Sequence, residues 1–276
     1  MKFIAVTTEL AGMLPDMMAT ALRARIRWLL GWGGGVLVAI LIWTGIASGL
    51  SFENLPQWLE PTLLADEGEV GILFTLILPF LMGFPLVYEA ARWVGEATSR
   101  ETIAFLLTLP VRRWVLFISG WGFHVLLLVL LLGMGFIGGW LGMAVLKGNS
   151  SMGVVTLPRW MGLGLFLLLI IQIGMLAAIF AANTWVGLGS ALGVMGGSLL
   201  LYGWSQHLLF LSWLRFILPW YYYLVMIRGG ESAQMGWWFM VGINLLLTGG
   251  LAWVFTQGRV LEAPQYPKDK QLLTER

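Results

Sequence analysis

Five intervals of this chain contain no Asp, Glu, Lys or Arg, and each is long enough to cross a lipid bilayer. A helix needs about 20 apolar residues to cross the hydrocarbon core. A charge near its centre costs about 2.5–3.5 kcal/mol on the insertion scale. Charge-free intervals therefore mark spans. The interval between Arg27 and Glu53 gives a first span at 28–50, and that between Glu69 and Glu89 a second at 70–88. The stretch from Arg113 to Lys147 gives a third at 114–145. Residues 160–214 hold two spans, 160–182 and 185–205, hinged where Asn183 and Thr184 raise the polarity; the last interval gives a sixth at 235–258. The expected fold is all-α: a polytopic membrane protein forming a single transmembrane domain of six helices.

Composition agrees. The chain is 59% hydrophobic and 11% charged, with 16 Trp, 36 Gly and a mean hydropathy of +0.84, more apolar surface than a soluble domain of 276 residues could hide. A net charge of +2 implies no nucleic-acid partner, and the absence of cysteine excludes disulfides and thiol chemistry. The first residues lack the apolar h-region of a cleaved signal peptide, Glu9 interrupting them early.

Lys and Arg placement sets the expected orientation. Lys2, Arg23, Arg25, Arg27, Arg92, Arg100, Arg112, Arg113, Arg259, Lys268, Lys270 and Arg276 fall on one side, against Lys147, Arg159, Arg215 and Arg228 on the other. That asymmetry puts both termini in the cytoplasm. The segment 207–227 is ambiguous. A seventh span there would bury Arg215 and Pro219, so a pair of short outer helices anchored by Trp213, Trp220 and Tyr221 to Tyr223 is preferred. Residues 9–27 repeat apolar side chains at helical spacing, with Asp16, Thr20, Arg23 and Arg27 opposite, which predicts an amphipathic interfacial helix. The polar tail 259–276 has no periodicity and is expected to be a flexible cytoplasmic end.

Intramembrane chemistry usually leaves polar groups within spans. Here His124, Gln172, Asn183 and Asn244 are scattered, and read as hydrogen-bonding members of the bundle. Ser198 in Gly-Gly-Ser-Leu fits a loose rhomboid pattern, but the only later histidine, His207, follows within nine residues, beyond the span's end. Two isolated histidines make no metal site, and no phosphate-binding GxxxxGK[ST] loop occurs, so no enzyme is expected in this chain. The GxxxG pairs Gly31/Gly35, Gly45/Gly49, Gly135/Gly139, Gly189/Gly193 and Gly193/Gly197 predict close helix packing and self-association.

One connector breaks the apolar pattern. GEATSRETIAFLLTLPVRRW, residues 95–114, carries five charges in twenty residues. Thr98 or Ser99 can cap a helix over 96–109, Ile103, Leu106 and Leu107 form an apolar stripe, and Pro110 stops it. The permease subunits of ABC type 2 exporters carry an acidic patch after their second span, then Gly-Thr-x-x-x-Leu-Leu-x-x-Pro-x-x-Arg. This chain resembles them through Glu96, Thr102, Leu106, Leu107, Pro110 and Arg113 at that spacing, with Glu101 where the family usually has Gly.

The resemblance implies a cytoplasmic coupling helix that contacts a separate ATPase through Glu96, Arg100, Glu101, Thr102, Leu106, Pro110 and Arg113. It implies two ATPase chains, which would bind ATP and Mg, and a second permease chain, identical or not, in a bacterial inner membrane. Spans two and five line the path in relatives, which nominates Phe80, Phe84, Val194 and Leu201. A mainly apolar path suits a lipid, an amphipathic peptide or a hydrophobic antibiotic. Two alternatives stand beside it. Glu89-Ala90-Ala91-x-x-x-Gly95 also looks like the EAA loop of ABC importer permeases. The other is a channel or scaffold that works without an ATPase.

Overall fold

The computed structural model describes residues 25–43, 71–97, 113–142, 157–230 and 232–256, with Thr20, Arg23 and Ala144 besides. All regular structure among them is helical, and six helices are long and apolar enough to cross a membrane. These are α1 (Arg25–Trp43), α2 (Leu73–Ala97, the stretch to Gly95 apolar), α3 (Arg113–Gly142), α4 (Leu157–Ala181), α5 (Thr184–His207) and α7 (Ala233–Thr256). A 3-10 helix (Leu209–Phe216) and a short helix α6 (Pro219–Arg228) lie between α5 and α7. The protein is therefore a multi-pass, all-α membrane protein. The predicted interfacial helix 9–27 and coupling helix 96–109 lie outside the described residues except at their ends, and the tail 259–276 lies wholly outside them.

Successive spans alternate in direction, so the bundle has two chemically different ends. Arg25, Gly95, Trp114, Ala181, Thr184 and Thr256 gather at the first, as the Arg25–Glu89 ion pair and the Trp93–Phe255 stack record. Leu73, Gly142, Leu157, His207 and Ala233 gather at the second, where Trp160 packs edge-on against both Phe74 and Phe136. In α2 and α4, 67% and 61% of the apolar stretch is buried, against 22% in α1 and in α7, so α2 and α4 form the centre. Helix α1 shows how a peripheral span works. Leu29, Gly33, Val36 and Ile40 recur at helical spacing on its buried face, while Ile26, Leu30, Val38 and Ile42 remain exposed for lipid.

A proline explains the start of α2. Its first turn is a π-helix, Leu73–Ile77, in which the Leu78 N–H reaches the Leu73 carbonyl. The same i→i+5 pattern would send the Phe74 carbonyl to residue 79, but Pro79 has no N–H. The Tyr223 hydroxyl of α6 donates to that carbonyl instead, across 149 residues of sequence. A backbone defect in α2 thus becomes the anchor of α6. Around it, Phe166 stacks on Tyr223 at 4.7 Å and meets Trp220 edge-on at 5.1 Å, and Tyr222 stacks on Phe239.

Two short helices do occupy 207–227, and at eight and ten residues neither can cross the membrane. Their surroundings differ from those expected. Trp213 is exposed, but Trp220, Tyr222 and Tyr223 are buried in protein, so they lock α6 into the bundle and are not interfacial anchors.

The glycines follow expectation in part: a Cβ at Gly135 would fall 2.7 Å from the Trp160 ring. A Cβ added at Gly31, Gly35, Gly189, Gly193 or Gly197 would meet nothing within 4 Å. Close approach occurs at Gly187 and Gly174: a Cβ at Gly187 would lie 2.6 Å from the Gly174 carbonyl and 3.0 Å from the Ala91 Cβ. Gly138 allows the backbones of α1 and α3 to meet at Leu37. Spacing alone names glycines that share a face; it does not say whether that face meets a helix or lipid.

Candidate functional site

The last turns of α2, Val87 to Gly95, touch every other span. Val87 packs where a side chain on Gly174 of α4 would sit, 2.9 Å from its Cβ position. Tyr88 meets Trp185 of α5 with ring centroids 6.0 Å apart. Glu89 pairs with Arg25 of α1 at 3.4 Å. Ala91 faces Gly187 of α5, and Trp93 covers Gly120 of α3 so closely that a Cβ there would enter the indole ring. On its other side Trp93 stacks on Phe255 of α7 at 5.6 Å and 6°. Gly95 closes the series against Thr184 of α5. The charged connector begins at the next residue.

Glu89 is the chemical centre of this hub. It is 5% exposed, and its carboxylate lies between Arg25 at 3.4 Å and Arg92, one helical turn on, at 3.9 Å. A buried carboxylate without a partner would be strongly unfavourable, and the two guanidiniums supply partners from α1 and from its own helix. His124 lies close by, buried, with Nδ1 donating to the Gly120 carbonyl at 2.7 Å. Trp93 and Phe123 flank the imidazole at 5.6 and 5.5 Å.

Sequence reasoning missed this group because it used Glu89 as the end of a span. The helix in fact runs through it to Ala97. The signal was present: from Leu86 to Ala97 there is no helix breaker other than Gly95, and Arg92 stands at i+3 from Glu89.

The residues nominated for ATPase contact lie just beyond. Glu96 is in the last turn of α2 and Arg113 opens α3, so both ends of the connector attach at the first end of the bundle. Arg100, Glu101, Thr102, Leu106 and Pro110 lie outside the described residues. Of the nominated path residues, Phe80 and Val194 are half-buried against the core, while Phe84 and Leu201 project from the surface.

The polar groups within the spans serve the bundle. Gln172 of α4 donates to the Thr248 hydroxyl of α7 at 2.8 Å, and Asn244 donates to the Leu165 carbonyl at 3.1 Å, so a polar seam ties α4 to α7. Asn183 caps α5 by accepting from the Trp185 N–H at 2.8 Å. Ser198 is buried and donates to its own helix at Met195, while His207 ends α5 in an exposed position, so they form no catalytic dyad. Among the described residues no group of His, Asp and Glu could hold a metal ion.

Comparison of the chain with protein-family models, with curated proteins and with solved structures finds no match. The functional reading therefore rests on the geometry of the hub and on the residues of the connector.

Proposed function

We propose that this chain is the permease subunit of an ATP-driven exporter of the ABC type 2 kind, coupled to a separate ATPase through residues 96–113. The supporting observation is the hub: nine residues, Val87 to Gly95, contact all five other spans and lead directly into the connector. A partner that shifts the connector would pull on every helix at once. Rigid helices that reach a shared node can convert such a shift into rocking of the bundle. In this reading two ATPase chains bind ATP and Mg, a second permease chain completes the path, and both termini are cytoplasmic in a bacterial inner membrane. The cargo is a hydrophobic or amphipathic molecule, a lipid, peptide or antibiotic.

Burial favours export over the importer alternative. A loop read by a partner must be exposed, whereas Glu89, Ala90 and Ala91 are buried inside α2. Purification of the full chain in mild detergent with its neighbouring gene products tests the proposal. A stoichiometric ATPase is expected to accompany it, and to be lost on Glu96→Lys or on deletion of Thr98 to Leu109. Purification as a lone chain, indifferent to that deletion, would overturn the proposal in favour of an ATPase-independent channel or scaffold.

A further inference from the structure

Helix α1 is held unevenly along its length. From Gly33 onward it packs closely on α3: Met134 sits against Gly33, Val36 against Gly135, and Gly138 lets the Leu37 backbone approach. On that half Val36 and Ile40 are fully buried. The half at the first end differs. Between Ile26 and Trp32 only Leu29 is buried, while Ile26, Arg27, Leu30 and Gly31 are exposed. Little apolar contact fixes this foot to the bundle, and the Arg25–Glu89 ion pair at its tip joins it to α2.

The Glu89 carboxylate is shared between two helices. Its Oε2 faces Arg25 of α1 at 3.4 Å, and its Oε1 faces Arg92 of α2 at 3.9 Å. Arg92 stands at i+3 from Glu89, so it stays within reach whatever α1 does. Both guanidiniums are partly open to their surroundings, unlike the acid. If Arg25 leaves, its charge turns outward and Glu89 closes onto Arg92. A bond between α1 and α2 is then exchanged for one within α2. No buried charge is stranded, and stranding is what makes a buried pair costly to break.

We propose that α1 is a hinged latch: its foot parts from α2 at the first end as Glu89 exchanges Arg25 for Arg92, and the helix pivots on its glycine seam with α3. At 1.5 Å per residue, the lever from Leu37 to Arg25 is about 18 Å long, so a tilt of about 15° moves Arg25 by about 5 Å. That displacement is enough to break the ion pair while the Leu37–Gly138 approach persists. The latch opens beside the hub residues Glu89 to Trp93. It does not depend on the ATPase reading, because a channel or scaffold built on this bundle would carry the same shared carboxylate.

The chain contains no cysteine, so spin labels on introduced cysteines report single pairs of positions. Pulsed electron paramagnetic resonance on the full chain in lipid nanodiscs tests the latch. One label pair, Arg27→Cys with Val186→Cys, reads the exposed foot against the start of α5; a second, Val38→Cys with Val186→Cys, reads α1 at the pivot. Arg25→Gln should enrich a longer foot distance about tenfold, as expected for loss of a charged contact, and leave the pivot distance unchanged. Arg25→Lys keeps the cation without the fork and should open the foot part-way. Adding Arg92→Gln to Arg25→Lys should close it again, because Glu89 is then left with α1 alone. A purely structural ion-pair cluster predicts the reverse, with each lost cation loosening the foot further, and that result would overturn the proposal. So would an unchanged foot distance in Arg25→Gln, or equal lengthening of both label pairs. If Arg25→Gln does not elute as wild type does in gel filtration, the two Arg25→Lys variants decide alone.

Discussion

The two ends of the bundle are held by opposite means. At the first end, α2 meets its neighbours through an ion pair, a histidine, a stacked indole and glycines that leave room for direct backbone approach. At the second, α6 is wedged in by Trp220, Tyr222 and Tyr223, with Phe74, Phe166 and Phe239 closed around them. Ion pairs and stacked faces can be remade after a small shift. An interlocked aromatic core cannot shift without opening voids. In the proposed coupling, movement would therefore fall at the first end, where the connector attaches, and anchorage at the second.

The sharpest way to break this contrast is to leave Glu89 without its partners. Its side chain is 6% exposed, whereas those of Arg25 and Arg92 are 31% and 38% exposed. Removing both bases by Arg25→Ala with Arg92→Ala strands a buried carboxylate, and should cost about 3–5 kcal/mol. Removing the acid instead lets two guanidiniums turn to water, so Glu89→Gln should cost about 1 kcal/mol or less. Thermal unfolding of the detergent-solubilised protein, followed by gel filtration, reads both. Equal losses would mean that the pair is not the organising contact of this end.

The second end should answer differently. Trp220 is fully buried, and Trp→Ala in a core costs about 3–5 kcal/mol. Its Nε1 has no hydrogen-bond partner, and removal of that buried orphan offsets part of the loss, so the expected cost is about 3 kcal/mol. Trp220→Phe keeps most of the packing and removes the orphan, and should be much milder. A Phe variant as damaging as Ala in the same melting assay would show that the indole makes a polar contact essential to this end.

Much of this architecture was legible before any coordinates. The spans followed from charge-free intervals because lipid excludes charge, and the α4–α5 hinge followed from Asn183 and Thr184. The site was less legible, for two physical reasons. Lipid tails are as apolar as leucine, so hydropathy cannot tell a buried face from a lipid-facing one. That is why Gly189 and Gly193 looked like packing residues while Gly174 and Gly187 drew no notice, and why Trp220 and Tyr223 resembled interfacial anchors. Second, a charge inside a bundle is tolerated once it is paired. Pairing of Glu89 to Arg25, 64 positions away in sequence, leaves no mark in a linear hydropathy profile.

The smallest expected effect lies at the α4–α5 hinge, and there two neighbours should respond with opposite signs. Ala182 has φ of 49°, in the left-handed region, which costs a residue with a Cβ roughly 1–2 kcal/mol. Glycine adopts that conformation freely but loses more entropy on folding, about 0.5–1 kcal/mol. Ala182→Gly should thus be neutral or stabilising by roughly 0.5 kcal/mol, raising the melting temperature by about 1–2 °C for a chain of this size. Asn183→Ala removes the side-chain oxygen that accepts from the Trp185 N–H, and should cost about 1 kcal/mol. Helix α5 holds Thr184 against Gly95 and Gly187 against Ala91, so the cap loss should also loosen the end of α2. Hydrogen exchange at residues 88–95 should rise in Asn183→Ala and stay at the wild-type level in Ala182→Gly. The α6 amides should keep wild-type protection in both. If the α6 amides exchanged faster as well, the two ends would be a single cooperative unit, and the division of labour between them would fail.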